Sequence, residues 1–88
     1  MEVKFSKPFE KDLKFISEKQ LALKVDEIIN KVRSSDSISE IDNIKKIKGH
    51  KNCYRIRIGN YRLGIMIKDK TVWFARLMDR KDIYKHFP

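Results

Sequence analysis

Residues 53–67 read Cys53-Tyr54-Arg55-Ile56-Arg57-Ile58-Gly59-Asn60-Tyr61-Arg62-Leu63-Gly64-Ile65-Met66-Ile67, and their alternation decides the fold. Tyr54, Ile56 and Ile58 alternate with Arg55 and Arg57; Tyr61, Leu63, Ile65 and Ile67 alternate with Arg62, Gly64 and Met66. A period of two places the apolar set on one face of a sheet and the arginines on the other. Gly59-Asn60 is a two-residue hairpin signal, because tight hairpin turns need positive φ, which Gly and Asn tolerate. Such a turn sets the register: Ile58 opposite Tyr61, Arg57 opposite Arg62, Ile56 opposite Leu63, Arg55 opposite Gly64. Lys68-Asp69-Lys70 makes a second turn and residues 71–77 a third strand, which gives an antiparallel meander with one apolar face.

Upstream, residues 2–6 alternate as a short strand with Val3 and Phe5 inward. Ser6 and Pro8 mark a helix start, with Pro tolerated in the first turn. Phe9, Leu13 and Ile16 form the stripe of that helix. Ser17-Glu18-Lys19-Gln20 has the form of a capping box, so a second helix is expected there, with Leu21, Val25, Ile28, Ile29 and Val32 as its stripe. Two packed helices then account for residues 8–33. Ser34-Ser35-Asp36-Ser37 reads as a loop, and Ile38, Ile41, Ile44 and Ile47, three apart, as a short helix or turn on the core. Gly49-His50-Lys51-Asn52 is another turn, and residues 79–86 form a short C-terminal helical turn. The expected class is α+β in a single domain, residues 1–88: a short N-terminal strand, two packed helices, an antiparallel β-meander and a closing helical turn.

Composition narrows the function. The 88 residues carry a formal net charge of +9, distributed unevenly. Residues 1–44 hold 8 Lys/Arg and 9 Asp/Glu, whereas residues 45–88 hold 13 Lys/Arg and 3 Asp/Glu. A basic half of this kind points to a polyanionic partner. The length suits one modest core, and the 41% hydrophobic content argues against disorder. The single cysteine, Cys53, excludes an internal disulfide and fits a reducing, cytoplasmic setting. The N-terminus lacks the apolar segment of a signal peptide, and no apolar run approaches the roughly 20 residues of a membrane span. His50, His86 and Cys53 are too few and too scattered for a metal site, and no nucleophile pairing or Gly-rich phosphate loop is present. No metal or cofactor is expected.

The outward face of the hairpin is the strongest chemical signal. Arg57 opposite Arg62 is a repulsive cross-strand pair, costing about a few tenths of a kcal/mol, and a bound anion would offset that. Arginine suits bidentate phosphate contacts. Gly64, lacking a side chain, leaves room for a ligand to approach the backbone. The plain alternative is a solvated face, but no Asp or Glu occurs between Gly49 and Lys68, and solvated faces usually mix both signs. Arg80 and Tyr84, four apart, would share one face of a helix. Tyr84 either stacks on a base or reaches a phosphate, or else seals the core edge. Asp79 and Asp82 flank Arg80 and are expected to position it. Of the adjacent Trp73 and Phe74, one should be core and the other a cover for the helices or a partner contact. Cys53 reads as a small core or strand-end residue. His50 and His86 read as surface residues, with His86 near enough in sequence to Tyr84 to assist proton transfer.

The stretch Lys46-Ile47-Lys48-Gly49 followed by Cys53-Tyr54-Arg55-Ile56-Arg57-Ile58-Gly59-Asn60-Tyr61-Arg62-Leu63 resembles the central hairpin of the RelE/ParE toxin superfamily. The ending Asp79-Arg80-Lys81-Asp82-Ile83-Tyr84 is similar to that family's closing motif, and the resemblance spans essentially the whole chain. It implies a RelE/ParE-like, microbial RNase-like fold and a toxin of a type II toxin–antitoxin system. In the RelE branch, the activity implied is ribosome-dependent cleavage of mRNA. The matching site residues are Arg55, Arg57, Arg62, Arg80 and Tyr84, with Lys45, Lys46, Lys48 and Lys51 guiding the protein onto ribosomal RNA. Ribonuclease members carry lysines where this chain has Arg55 and Arg57. Arginine is a poor proton acceptor, so that role falls to Tyr84 or to the ribosome. The ParE branch implies instead inhibition of DNA gyrase, and an inactive basic RNA-binding module is a further alternative. The implied partners are the ribosome with mRNA and a cognate antitoxin, acidic or partly disordered. The antitoxin is expected to dock on the helix pair and the sheet edge in a hetero-oligomer, with no membrane involved.

Overall fold

The hairpin forms in the expected register. In the computed structural model, which describes all 88 residues, β3 (Cys53–Ile58) pairs antiparallel with β4 (Tyr61–Lys68). Arg57 lies opposite Arg62 and Arg55 opposite Gly64. Gly59 adopts φ +56°, the left-handed conformation the turn requires. Asp69 (φ 51°) and Lys70 (φ 61°) make the second tight turn into β5. That strand spans Thr71–Asp79, two residues longer than the alternation suggested.

The sheet has five strands in the order β1-β5-β4-β3-β2. The N-terminal strand β1 (Glu2–Phe5) runs parallel to β5, with Val3 opposite Val72 and Phe5 opposite Phe74. After β1 the chain forms α1 (Lys7–Lys14) and α2 (Lys19–Ser34). Ser6 caps α1 as expected: its Oγ accepts from the Phe9 N–H at 3.1 Å and donates to the Ala75 carbonyl at 2.9 Å. The expected capping box at Ser17 does not form. Glu18 occupies the N-cap of α2 without a side-chain bond, because the helix starts one residue later than Ser17 would require.

The third departure lies at residues 38–47. Ile38–Glu40 is a single 3-10 turn, Asn43 turns the chain at φ 61°, and Ile44–Lys46 forms edge strand β2 on β3. A spacing of three fits a short helix equally well; the left-handed Asn43 and the open edge of β3 make it a strand instead. Ile41 joins the main core, whereas Ile47 faces a second cluster on the other side of the sheet.

The main core lies between helices and sheet. Phe9, Val25 and Val32 pack against Ile56, Leu63, Ile65, Val72 and Phe74, each at most 1% exposed. Phe5, Phe9 and Phe74 cluster with ring centroids 5.6–5.7 Å apart, Phe5 stacked on Phe9 and Phe74 tilted against both. A β-bulge between Gly64 and Ile65 leaves Ala75 without a partner across the ladder. Helix α1 fastens that irregular point: Asp12 accepts from Arg76 Nε at 2.8 Å, Arg76 Nη2 at 3.1 Å and the Leu77 N–H at 2.9 Å. A bulge breaks the ladder locally, and the Ser6 and Asp12 contacts satisfy the groups it frees.

The chain ends in α3 (Ile83–His86), which starts four residues later than the helical turn expected from Asp79 because β5 continues to that residue. Ile83 and Phe87 fold back onto the outer face of the sheet, where they meet Ile47 and Cys53 in a small second core. No helix is long and apolar enough to cross a membrane.

Candidate nucleic-acid interface

The outer face of the hairpin gathers the basic residues by strand register. Arg55 and Arg57 are two apart on β3, and Arg62 faces Arg57 from β4. Lys45 on β2 stands opposite Arg55, so a second like-charge pair lies beside the first. Neither Arg55, Arg57, Arg62 nor Arg80 has a carboxylate partner; the ion pairs are Arg76–Asp12 and the exposed Lys85–Asp82. Asp79 and Asp82 therefore do not position Arg80 as expected. Asp79 Oδ1 accepts from the Lys81 N–H at 2.9 Å and Asp82 lies 3.9 Å from Lys85. Arg80 is placed instead by its backbone, whose N–H donates to the Asn60 carbonyl at 2.8 Å.

Arg62 is the centre of the cluster. Its Nη1 donates to the carbonyls of Gly59 at 2.9 Å and Tyr61 at 3.0 Å, so the guanidinium lies against the turn. Burial and then the positive charges of Arg55, Arg57 and Arg80 push Arg62 below the ordinary arginine range, while Tyr84 acts in the opposite direction. All five expected site residues are thus close enough to share one electrostatic environment.

They divide between two recesses. A cleft of about 710 Å³ between α2 and the hairpin holds Arg57, Arg62 and Arg80, together with Lys24 and Lys31 of α2 and Asn60 of the turn. Glu27 and Asp42 are its acidic members. A smaller recess of about 430 Å³ joins Arg55 and Tyr84 to Lys45, Lys46 and Lys48. Lys51 lies in the adjoining turn with Lys46, Lys48 and His50. Arg80 and Tyr84 do not share a helix face, because α3 begins only at Ile83. Three of the four lysines expected to meet RNA, Lys45, Lys46 and Lys48, thus adjoin Arg55 and Tyr84 directly.

Two expectations about individual residues change. Gly64 does not open the face to a ligand: a Cβ there would lie 2.6 Å from Phe87 Cδ2, so the aromatic ring already occupies the space. Tyr84 does not seal the core edge; it is 59% exposed, and Ile83 and Phe87 do the sealing. Phe74 is the core member of its pair, while Trp73 is half-exposed under Lys4 Nζ at 5.3 Å from the ring. Cys53 is buried in the second core, and burial pushes its thiol up. Lys24 and Lys31 escaped the sequence reading. Their spacing of seven marks one face of α2, but nothing local says that this face meets the hairpin.

A family model described as the ParE toxin of the type II toxin–antitoxin system parDE matches residues 3–84. The chain belongs to the RelE/ParE toxin family. This RelE/ParE toxin is 44% identical over 89 residues to Toxin RelE3 of Methanocaldococcus jannaschii, covering 100% of both chains. It also superposes on the crystal structure of the RelB-RelE antitoxin-toxin complex from Methanococcus jannaschii. There the TM-score is 0.83 at 42% identity, with 97% of this chain and 99% of that chain covered. The YoeB dimer from Staphylococcus aureus shares the fold, with a TM-score of 0.74 at 20% identity over 89% of this chain and 94% of that one. The expected α+β class and the resemblance to RelE-type toxins both hold.

Proposed function

We propose that this toxin is a ribosome-dependent mRNA endoribonuclease held in check by a cognate antitoxin. One observation carries the reading: Arg57, Arg62 and Arg80 line one cleft and Arg55 and Tyr84 a second recess on the same hairpin face, with no carboxylate paired to any of the four arginines. In the reaction the ribose 2′-oxygen attacks the adjacent phosphorus, the P–O5′ bond breaks, and a 2′,3′-cyclic phosphate and a free 5′-hydroxyl result. The transition state carries extra negative charge on the phosphoryl oxygens, and guanidinium groups already in place stabilise it without reorganising. Arg62, with Arg57 or Arg55, clamps the phosphate. Tyr84, exposed beside Arg55, stacks on the base or holds the 2′-hydroxyl in line. The 2′-proton leaves to Tyr84 or to a group of the ribosome, and the 5′-oxygen takes up a proton as it departs.

Lys45, Lys46, Lys48 and Lys51 dock the toxin on ribosomal RNA, which puts the protein in the cytoplasm. The antitoxin docks on the helix pair, where Phe15 is 79% and Leu23 48% exposed. Relatives crystallised as RelB–RelE complexes support that partner. The match to a ParE toxin model favours a second reading, inhibition of DNA gyrase.

Primer extension on a translated message separates the two. New 5′ ends that require ribosomes, and that fade with Arg62→Ala or Tyr84→Phe, are expected. Absence of new ends at any protein level would abandon the nuclease reading, and blocked supercoiling with translation untouched would establish the second.

A further inference from the structure

Gly64 and Phe87 form a fitted pair on the face that carries the arginines. Gly64 is not in the left-handed region, so no backbone requirement calls for glycine there. What calls for it is space. An added Cβ would stand 2.6 Å from Phe87 Cδ2, 2.8 Å from Cγ and 2.9 Å from Cε2, and a Cβ cannot approach a ring that closely. The seat also borders the candidate site, because Gly64 has Arg55 directly opposite it and Arg62 two residues along the same strand.

Helix α3 depends on this seat. It has four residues, and its Phe87 N–H donates to the Ile83 carbonyl at 2.7 Å. A helix so short has no stability of its own, so its position is set by what it buries. Ile83 is 0% and Phe87 4% exposed, one turn apart on the same side. Tyr84 lies about 100° further round the helix, outside the buried face, and is largely exposed. Its placement beside Arg55 is therefore inherited from the two anchors that flank it.

We infer that Phe87, seated on Gly64, is a positioning residue that holds Tyr84 in the site. The inference deepens the nuclease reading and rests on it for its catalytic consequence. A displaced group about 1 Å out of line costs on the order of 10²-fold in rate, so the seat matters even though Phe87 touches no substrate.

The experiment is a double-mutant cycle on translating ribosomes, single-turnover at toxin excess, below the lowest melting midpoint of the variants. Phe87→Ala is expected to lower the maximal rate about 10- to 100-fold while changing half-saturation less than about twofold. Gly64→Ala should do the same by pushing the ring from its seat, and Phe87→Leu, which keeps an apolar anchor, should retain most of the rate. In a Tyr84→Ala background, Phe87→Ala should add less than about twofold, because the positioned group is already gone. A folded Phe87→Ala that cuts like the parent, or one that loses the same factor with and without Tyr84, overturns the inference.

Placement is also read without cleavage, from the ring 1H–13C resonances of Tyr84, identified by their loss in Tyr84→Phe. They should shift in Phe87→Ala while those of Tyr54 stay. Such a shift in a parent protein that cuts nothing would end the nuclease reading and leave the placement standing. Unmoved Tyr84 resonances would overturn the placement whatever the activity.

Discussion

Arg57 and Arg62 face each other directly across the β3–β4 ladder, one pair in from the turn, and neither has a carboxylate partner. Opposite charges at such a pair would stabilise the sheet, and like charges do the reverse. The arrangement costs stability that a bound phosphate would restore. Arg57→Gln is therefore expected to raise unfolding stability by about 0.2–1 kcal/mol and to slow cleavage by about 10²-fold. Denaturant melts and ribosome cleavage check the two halves. Lower stability with unchanged cleavage would assign Arg57 a structural role.

Exposed lysines around Arg55 and Tyr84 should act on binding rather than on the chemical step. Toxin affinity for ribosomes should fall steeply with salt, and each lysine contact removed should lower the log–log slope by about 0.7 to 0.9. Lys45→Ala and Lys48→Ala are expected to show that drop, and Tyr84→Phe none. Binding measured at several salt concentrations tests this; a flat salt dependence in the parent would mean that the basic face binds something other than a polyanion.

The Asp12–Arg76 pair is the structural counterpart of the unpaired arginines. Its Oδ2 takes both Arg76 Nε and the Leu77 N–H, and the side chains are 14% and 25% exposed for Asp12 and Arg76. Arg76 is held above its ordinary range by that hydrogen bond. Asp12→Asn weakens three bonds at the bulge and should destabilise the fold by about 1–3 kcal/mol, with the cleavage rate per folded molecule unchanged. Calorimetry together with active-site-normalised rates checks it; a loss of rate without a loss of stability would contradict the assignment.

Glu40 carries an acid-sensitive contribution. Its Oε2 accepts from the N–H of Asp36 at 2.7 Å and of Ser37 at 3.3 Å, and these bonds hold the carboxyl below the usual glutamate range. With the folded value depressed, the stabilisation is complete above the unfolded value and is lost as pH falls through the folded one. Glu40→Gln should melt earlier than the parent at neutral pH and converge with it in acid. Melting curves from neutral pH to below the glutamate range test this, and parallel curves would contradict it.

Much of the hairpin was legible residue by residue. The alternation from Tyr54 to Ile67 and the Gly59-Asn60 turn set the Arg57–Arg62 pairing locally, because both signals act within a few residues. Ser6 as the α1 cap was equally local. The isoleucines at 38, 41, 44 and 47 were not legible, since their spacing fits a helix and only the free edge of β3 selects a strand for Ile44–Lys46. Lys24 and Lys31 were not legible as site residues either, since nothing within α2 says that their face meets Arg57 and Arg80.

By itself, the sequence determined the meander, the register of its first hairpin, and a row of arginines opposite the apolar face. Turn chemistry and a two-residue period are short-range properties, and no distant contact is needed to impose them. Tertiary structure alone decided that β1 lies parallel to β5, that α2 lends lysines to the arginine cleft, and that Phe87 occupies the space beside Gly64. It also separated Arg80 from Tyr84, placing them in two different recesses, the first of them shared with Arg62. These outcomes join segments far apart in the chain. They depend on which apolar surfaces bury one another most completely, a choice that the whole chain makes together.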